Sequence, residues 1–147
     1  MIIKNYYTIN KMSNGKTPEG ADKKLFTSII QRNMKITGTA NQEILLGIKN
    51  GNSDYYTSTS SNDFLQIDLQ DEYFVKGIKL CLWHFDDRYY TYECWVSKDA
   101  HNWNEIFTDY QAKCNDTIII MDSIRYIRLK GKNNKNDYLH IIYFKII

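Results

Sequence analysis

Apolar and polar positions alternate with a period of two over much of the second half of the chain. From Phe74 to Trp83 the residues Ile78, Leu80 and Leu82 fall on one face, and from Tyr90 to Ser97 the residues Tyr92, Cys94 and Val96 fall together with Trp95 opposite. That period belongs to a strand with one buried face. Shorter apolar runs at Ile2–Ile9, Tyr55–Ser58, Phe64–Leu69, Trp103–Phe107, Thr117–Met121, Ile124–Lys130 and Leu139–Ile147 read as strands too. Polar clusters at 60–63 and 98–102 predict turns between them, and 15–24, with Pro18 and two glycines, predicts a loop. Phe26–Met34 is ambiguous. Helical spacing is confined to Asn41–Lys49, with Asn41 placed to cap it and Gly51 just beyond its end. Nine residues are too few for a solitary helix, so the expectation there is a short packed turn. Eight to ten short strands without alternating helices predict an all-β sandwich or jelly roll and argue against a parallel α/β sheet. The apolar termini are expected to lie near each other, because each needs a partner for its edge. No repeat or linker divides the sequence, so 1–147 reads as a single domain.

Composition reinforces the strands and narrows the partners. Twelve Tyr, six Phe and three Trp favour pleated surfaces and also suit interfaces. Nineteen basic and 17 acidic residues leave a net charge of +2, which provides no strong field for nucleic acid or an anionic membrane. The lysines at 4, 11 and 16, and those at 130, 132 and 135, read as solvated surface. No apolar run approaches the roughly 20 residues of a transmembrane helix. The N-terminal residues lack the apolar core of a signal peptide, so the expected location is intracellular, cytoplasmic or cytoskeleton-associated. Cys81, Cys94 and Cys114 are odd in number and show no paired spacing; they read as buried small residues of a reducing compartment.

Little points to catalysis or cofactors. There is no GxSxG, HExxH or glycine-rich phosphate loop, and Asp99 and His101 read as solvated turn residues. Asp54, Asp63, Asp86 and Asp87 could offer oxygen to calcium, but their spacing matches no known cage. His84, His101 and His140 are scattered and no CxxC exists, which disfavours zinc. The expectation is a non-enzyme with no metal and no cofactor.

Four pieces in order carry a resemblance: Gln66-Ile67-Asp68-Leu69, Lys76-Gly77-Ile78, Val96-Ser97-Lys98-Asp99 with Trp103, and Arg125-Tyr126-Ile127-Arg128. Together they resemble the discoidin, or coagulation factor 5/8 C-terminal type, domain. That likeness implies a galactose-binding-like jelly-roll β-sandwich that binds ligands through loops at one end. The stretch Leu82–Tyr92 and the tail from Lys130 are similar to the intracellular discoidin-like domains of some BTB-domain proteins. No BTB domain is present here, and the cysteines of the terminal disulfide in secreted members are missing.

Two loops hold the candidate binding residues. On the loop following Trp83, the residues Asp86, Asp87 and Arg88 could grip a polar partner, with Trp83 and Tyr89 supplying contact area. Arg88 could equally pair with Asp86 or Asp87 and stack on Tyr90, fixing the loop; this reading is favoured. Asp54, Tyr55 and Tyr56, in the polar stretch 51–62, could face a sugar or peptide, or could simply belong to a hydrogen-bonded turn. Residues 14–24 form a second such loop. The functional expectation is a protein-docking or structural subunit of a larger assembly, with a carbohydrate-binding lectin-like domain as the alternative.

Overall fold

A computed structural model of the protein describes residues 27–59, 64–112, 116–132 and 138–147. The strand expected at Ile2–Ile9, the loop at 14–24, the polar turn at 60–63 and the pairing of the two termini all lie outside the described residues.

Seven strands are described: β1 (Lys35–Thr37), β2 (Thr57–Ser58), β3 (Phe64–Leu82), β4 (Tyr90–Ser97), β5 (Asn104–Ala112), β6 (Asp116–Gly131) and β7 (His140–Ile146). All their pairings are antiparallel. The shorter count than expected has a simple cause. Phe64–Leu69 and Phe74–Trp83 merge into one 19-residue β3, and Thr117–Met121 and Ile124–Lys130 merge into one 16-residue β6. Polar residues at the junctions, such as Gln70 and Asp122, mark bends rather than ends.

The bends make the sandwich. The second half of β3 pairs with β7 and with the first half of β6, while its first half pairs with β1 and the second half of β6, which continues to β4 and β5. The two long strands therefore pass from one layer into the other. Between the partners Asp68↔Tyr126 and Tyr73↔Ile124, β3 inserts four residues where β6 has Arg125 alone. Gln70 takes a left-handed backbone there, with φ of 70°. Arg125 fastens the bulge, donating from Nε to Asp68 Oδ1 at 2.9 Å and from Nη2 to Oδ2 at 3.2 Å, while Asp68 Oδ1 also accepts the Gln70 amide. Bulges increase local twist, which lets one strand serve two layers.

Each layer turns its alternate residues inward. Leu65, Ile67, Ile127, Leu129, Tyr92 and Cys94 meet Ile78, Leu80, Leu82, Ile118, Phe144 and Ile146 in one continuous core. The ambiguous stretch before β1 is a short helix at 27–32. At 42–48 the expected helical turn forms, but Asn41 does not cap it; its amide donates to the Tyr56 carbonyl at 3.0 Å.

The cysteines need one correction. Cys94 is a free, buried thiol, and burial pushes its pKa up. Cys81 is buried as expected, but it is disulfide-bonded. Cys114 lies outside the described residues.

Candidate functional site

Strand pairing gathers three chain segments at one end of the sandwich. β2 pairs with the start of β7, so Ser58 lies opposite His140, and Trp83 at the end of β3 donates its amide to the His140 carbonyl at 2.9 Å. The stretch 52–56, the loop 83–89 and the entry to β7 at 138–140 therefore meet. Trp83 ties two of them together, donating its indole N–H to the Ser53 carbonyl at 3.0 Å.

Within the 83–89 loop, Asp86 accepts the Arg88 amide at 2.9 Å, closing a tight turn. The Arg88 guanidinium returns to the same carboxylate from Nε at 2.9 and 3.0 Å and from Nη2 at 2.7 Å. Its carbon lies 4.3 Å from the centre of the Trp83 ring. The expected internal pairing thus forms with Asp86, and the stacking falls on Trp83 instead of Tyr90. The Asp86 pairing holds the Arg88 pKa above the ordinary value.

Tyr90 reaches His140, whose Nδ1 lies 2.9 Å from the Tyr90 hydroxyl. Tyr56 and Tyr90 approach the imidazole edge-on, and Tyr138 stacks with it at 6.0 Å. Burial, with a smaller contribution from Arg88, lowers the His140 pKa below 6.5. A depressed histidine pKa opposes protonation in the folded state, so this contribution to stability is complete above about pH 6.5 and is lost as pH falls toward the lower folded value. Urea midpoints measured from pH 7.5 to 5 are expected to fall further for the wild type than for His140→Gln.

The sequence candidates separate in space. Trp83, Asp86, Arg88 and Tyr56 belong to this one cluster. Tyr89 and Asp87 are exposed on the same loop. Asp54 is exposed, its amide donating to Asn52 Oδ1 at 2.9 Å. Tyr55 turns away: its hydroxyl donates to Glu43 and the Lys49 ammonium lies 3.8 Å above its ring. Sequence reading missed Phe85, Tyr138 and His140, and gave Tyr90 only as a stacking partner for Arg88. Phe85 sits inside the motif that was singled out, between His84, on which it stacks, and Trp83, which it meets edge-on. His140 carried no such signal, since only the β2–β7 pairing brings it to the loop.

The other motif residues are structural. Asp99 accepts the amides of His101 and Asn102, both at 2.8 Å, and these bonds hold its carboxyl well below the usual range. Arg128 lies between the rings of Phe64 and Trp103, at 3.8 and 4.0 Å. Among the described residues, no three His, Cys, Asp or Glu side chains converge as a metal site. No helix there is long and apolar enough to cross a membrane.

A two-layered antiparallel sheet with bent shared strands and an aromatic, polar loop end places the protein in the galactose-binding-like β-sandwich class. The chain belongs to the F5/8 type C domain family, which it matches over residues 37–144. No functionally curated protein is significantly similar to it in sequence. Among solved structures, it is similar to a family 89 glycoside hydrolase from Clostridium perfringens in complex with its substrate GlcNAc-α-1,4-galactose, with TM-score 0.59 and 18% identity. The likeness covers 80% of this chain but only 14% of that enzyme. The CBM32 of AlyQ, in complex with 4,5-unsaturated mannuronic acid, has TM-score 0.58 and 18% identity, covering 78% of this chain and 92% of that one. CBM32-1 from a family 31 glycoside hydrolase of Clostridium perfringens has TM-score 0.59 and 16% identity, covering 78% and 93%.

Proposed function

We propose that this domain is a non-catalytic glycan-binding module and that the loop end receives the sugar. The carrying observation is the 83–89 loop, where Phe85 and Tyr89 are 50% and 53% exposed on either side of the Arg88–Asp86 pair. Exposed large rings around fixed polar groups are features of a binding surface. A sugar offers an apolar ring face to an aromatic side chain and hydroxyls to a guanidinium or carboxylate. Because Arg88 is already held by Asp86 and Trp83, little side-chain freedom is lost on binding. The sugar held by the similar AlyQ module supports the carbohydrate class over protein docking. The disulfide at Cys81 supports an oxidising compartment in place of the cytoplasmic one first expected.

A glycan array probed with wild type, Phe85→Ala and Arg88→Ala tests this reading. The expected result is binding by the wild type that weakens at least about tenfold in each variant, the scale of losing one well-formed contact. Unfolding midpoints should stay near wild type, because both side chains are exposed. A silent array sinks the proposal. A protein partner released by the same two substitutions would return the reading to protein docking.

A further inference from the structure

The outer face of the β7–β3–β6 layer carries a cross-strand pair of exposed lysines. Register places Thr117, Lys79 and Lys145 in one row across three strands. All three are exposed. Lys79 and Lys145 are direct cross-strand neighbours, whose backbones in such pairs lie about 5 Å apart. Like charges placed directly opposite each other destabilise a sheet. Neither lysine takes part in the three ion pairs found among the described residues. Tyr143, opposite Cys81 in the next row, lies diagonal to Lys79 and on the same face.

A groove of about 440 Å³ is lined by Lys79, Leu80, Cys81, Asp116, Thr117 and Tyr143, and Lys145 lies beside it as the cross-strand neighbour of Lys79. The Asp116 carboxyl is turned to Tyr92, whose hydroxyl donates to its Oδ2 at 2.6 Å.

We propose that this groove, which adjoins the loop end where Cys81 Sγ lies 3.6 Å from His84 Nδ1, is a second glycan subsite for a sugar chain bearing carboxylate or sulfate groups. Lys79 and Lys145 straddle the anionic group, Thr117 hydrogen-bonds beside it, and the Tyr143 ring lies against the sugar. An anion between the lysines would relieve their repulsion. Two lysines and one aromatic ring form too small a patch to track a nucleic-acid backbone, which binds through many phosphate contacts.

Calorimetric titrations with oligogalacturonate, a sulfated galactan oligosaccharide, a neutral galactan oligosaccharide and duplex DNA test the proposal. The proteins are wild type, Lys79→Gln/Lys145→Gln, Lys79→Arg/Lys145→Arg and Phe85→Ala. The expected result is that at least one acidic oligosaccharide binds the wild type, weakens tenfold or more in the glutamine variant, and is retained by the arginine variant and by Phe85→Ala. Which acidic oligosaccharide binds decides between carboxylate and sulfate. Unchanged acidic binding in the glutamine variant overturns the proposal, as does wild-type DNA binding of equal strength or the absence of acidic binding. If Phe85→Ala removes acidic and neutral binding alike, there is one site only, at the loop end. Loss of neutral binding alone in Phe85→Ala tests the loop-end reading separately.

Discussion

Replacing Gln31 by leucine is expected to lower folding stability by about 3–5 kcal/mol, from the loss of three buried hydrogen bonds and the desolvated groups left behind. Gln31 is 5% exposed and sits on the short helix before β1. Its amide nitrogen donates to the carbonyls of Leu45 and Phe144, both at 2.9 Å, and its amide oxygen accepts the Ile146 N–H at 3.1 Å. β2 covers β7 only at Ile141 and His140, so the rest of that β7 edge needs another partner. Gly51 donates its amide to the Ile142 carbonyl at 2.6 Å, and beyond it Gln31 meets one donor and one acceptor of β7 as a neighbouring strand would. Leucine nearly keeps the volume but leaves three backbone groups unmet in a dry setting. The check is a urea titration, with the midpoint falling and the slope unchanged. Gln31→Glu should also be destabilised, since it loses both donated bonds. A loss below about 1 kcal/mol for leucine would mean that water replaces the amide, and the edge argument would fail.

Gly77→Ala is expected to cost about 2–3 kcal/mol, the scale of overpacking in a closed site. Elsewhere in a strand the same change would be mildly favourable, because glycine is the poorer strand residue. Here the sign reverses. β3 shifts register between Val75 and Gly77, and the glycine faces Ile119 across the ladder. A Cβ at residue 77 would lie against the Ile118 carbonyl oxygen, well inside van der Waals contact, with Ile119 Cα close behind. The obstacle is backbone rather than a side chain that can rotate away, so β6 must shift. The same titration checks it; a neutral or stabilising alanine would contradict the close approach of the two strands.

That glycine also shows how much of the fold was legible. The order of Ile67-Asp68-Leu69, Gly77-Ile78, Val96-Ser97 and Tyr126-Ile127-Arg128 pointed to the right sandwich because each piece answers a local need. Asp68 receives Arg125 at a bulge, Gly77 admits a carbonyl, and the Ser97 and Asp99 side chains close a turn. Alternation gave β4 to the residue, Tyr90–Ser97. It divided β3 and β6 wrongly, because a bend between layers interrupts the period as a turn does. The site was half legible. Trp83, Asp86, Arg88 and Phe85 are contiguous in sequence, and their aromatic and charged mixture marked the loop. His140 and Tyr90 join the site through a cross-strand hydrogen bond over 50 residues, and no local pattern encodes that.

The most direct test of the loop-end site follows the three tryptophan indole N–H signals in a ¹H–¹⁵N spectrum during titration with a sugar that the array identifies. Trp83 holds its indole N–H against Ser53 under the Arg88 guanidinium, whereas Trp103 donates to Ala100 in the β4–β5 turn and Trp95 lies on β4. The account predicts a saturable shift of the Trp83 signal, together with the amides of 84–90, while Trp95 and Trp103 stay still. Shifts centred on Trp95 or Trp103 with Trp83 unmoved would contradict it.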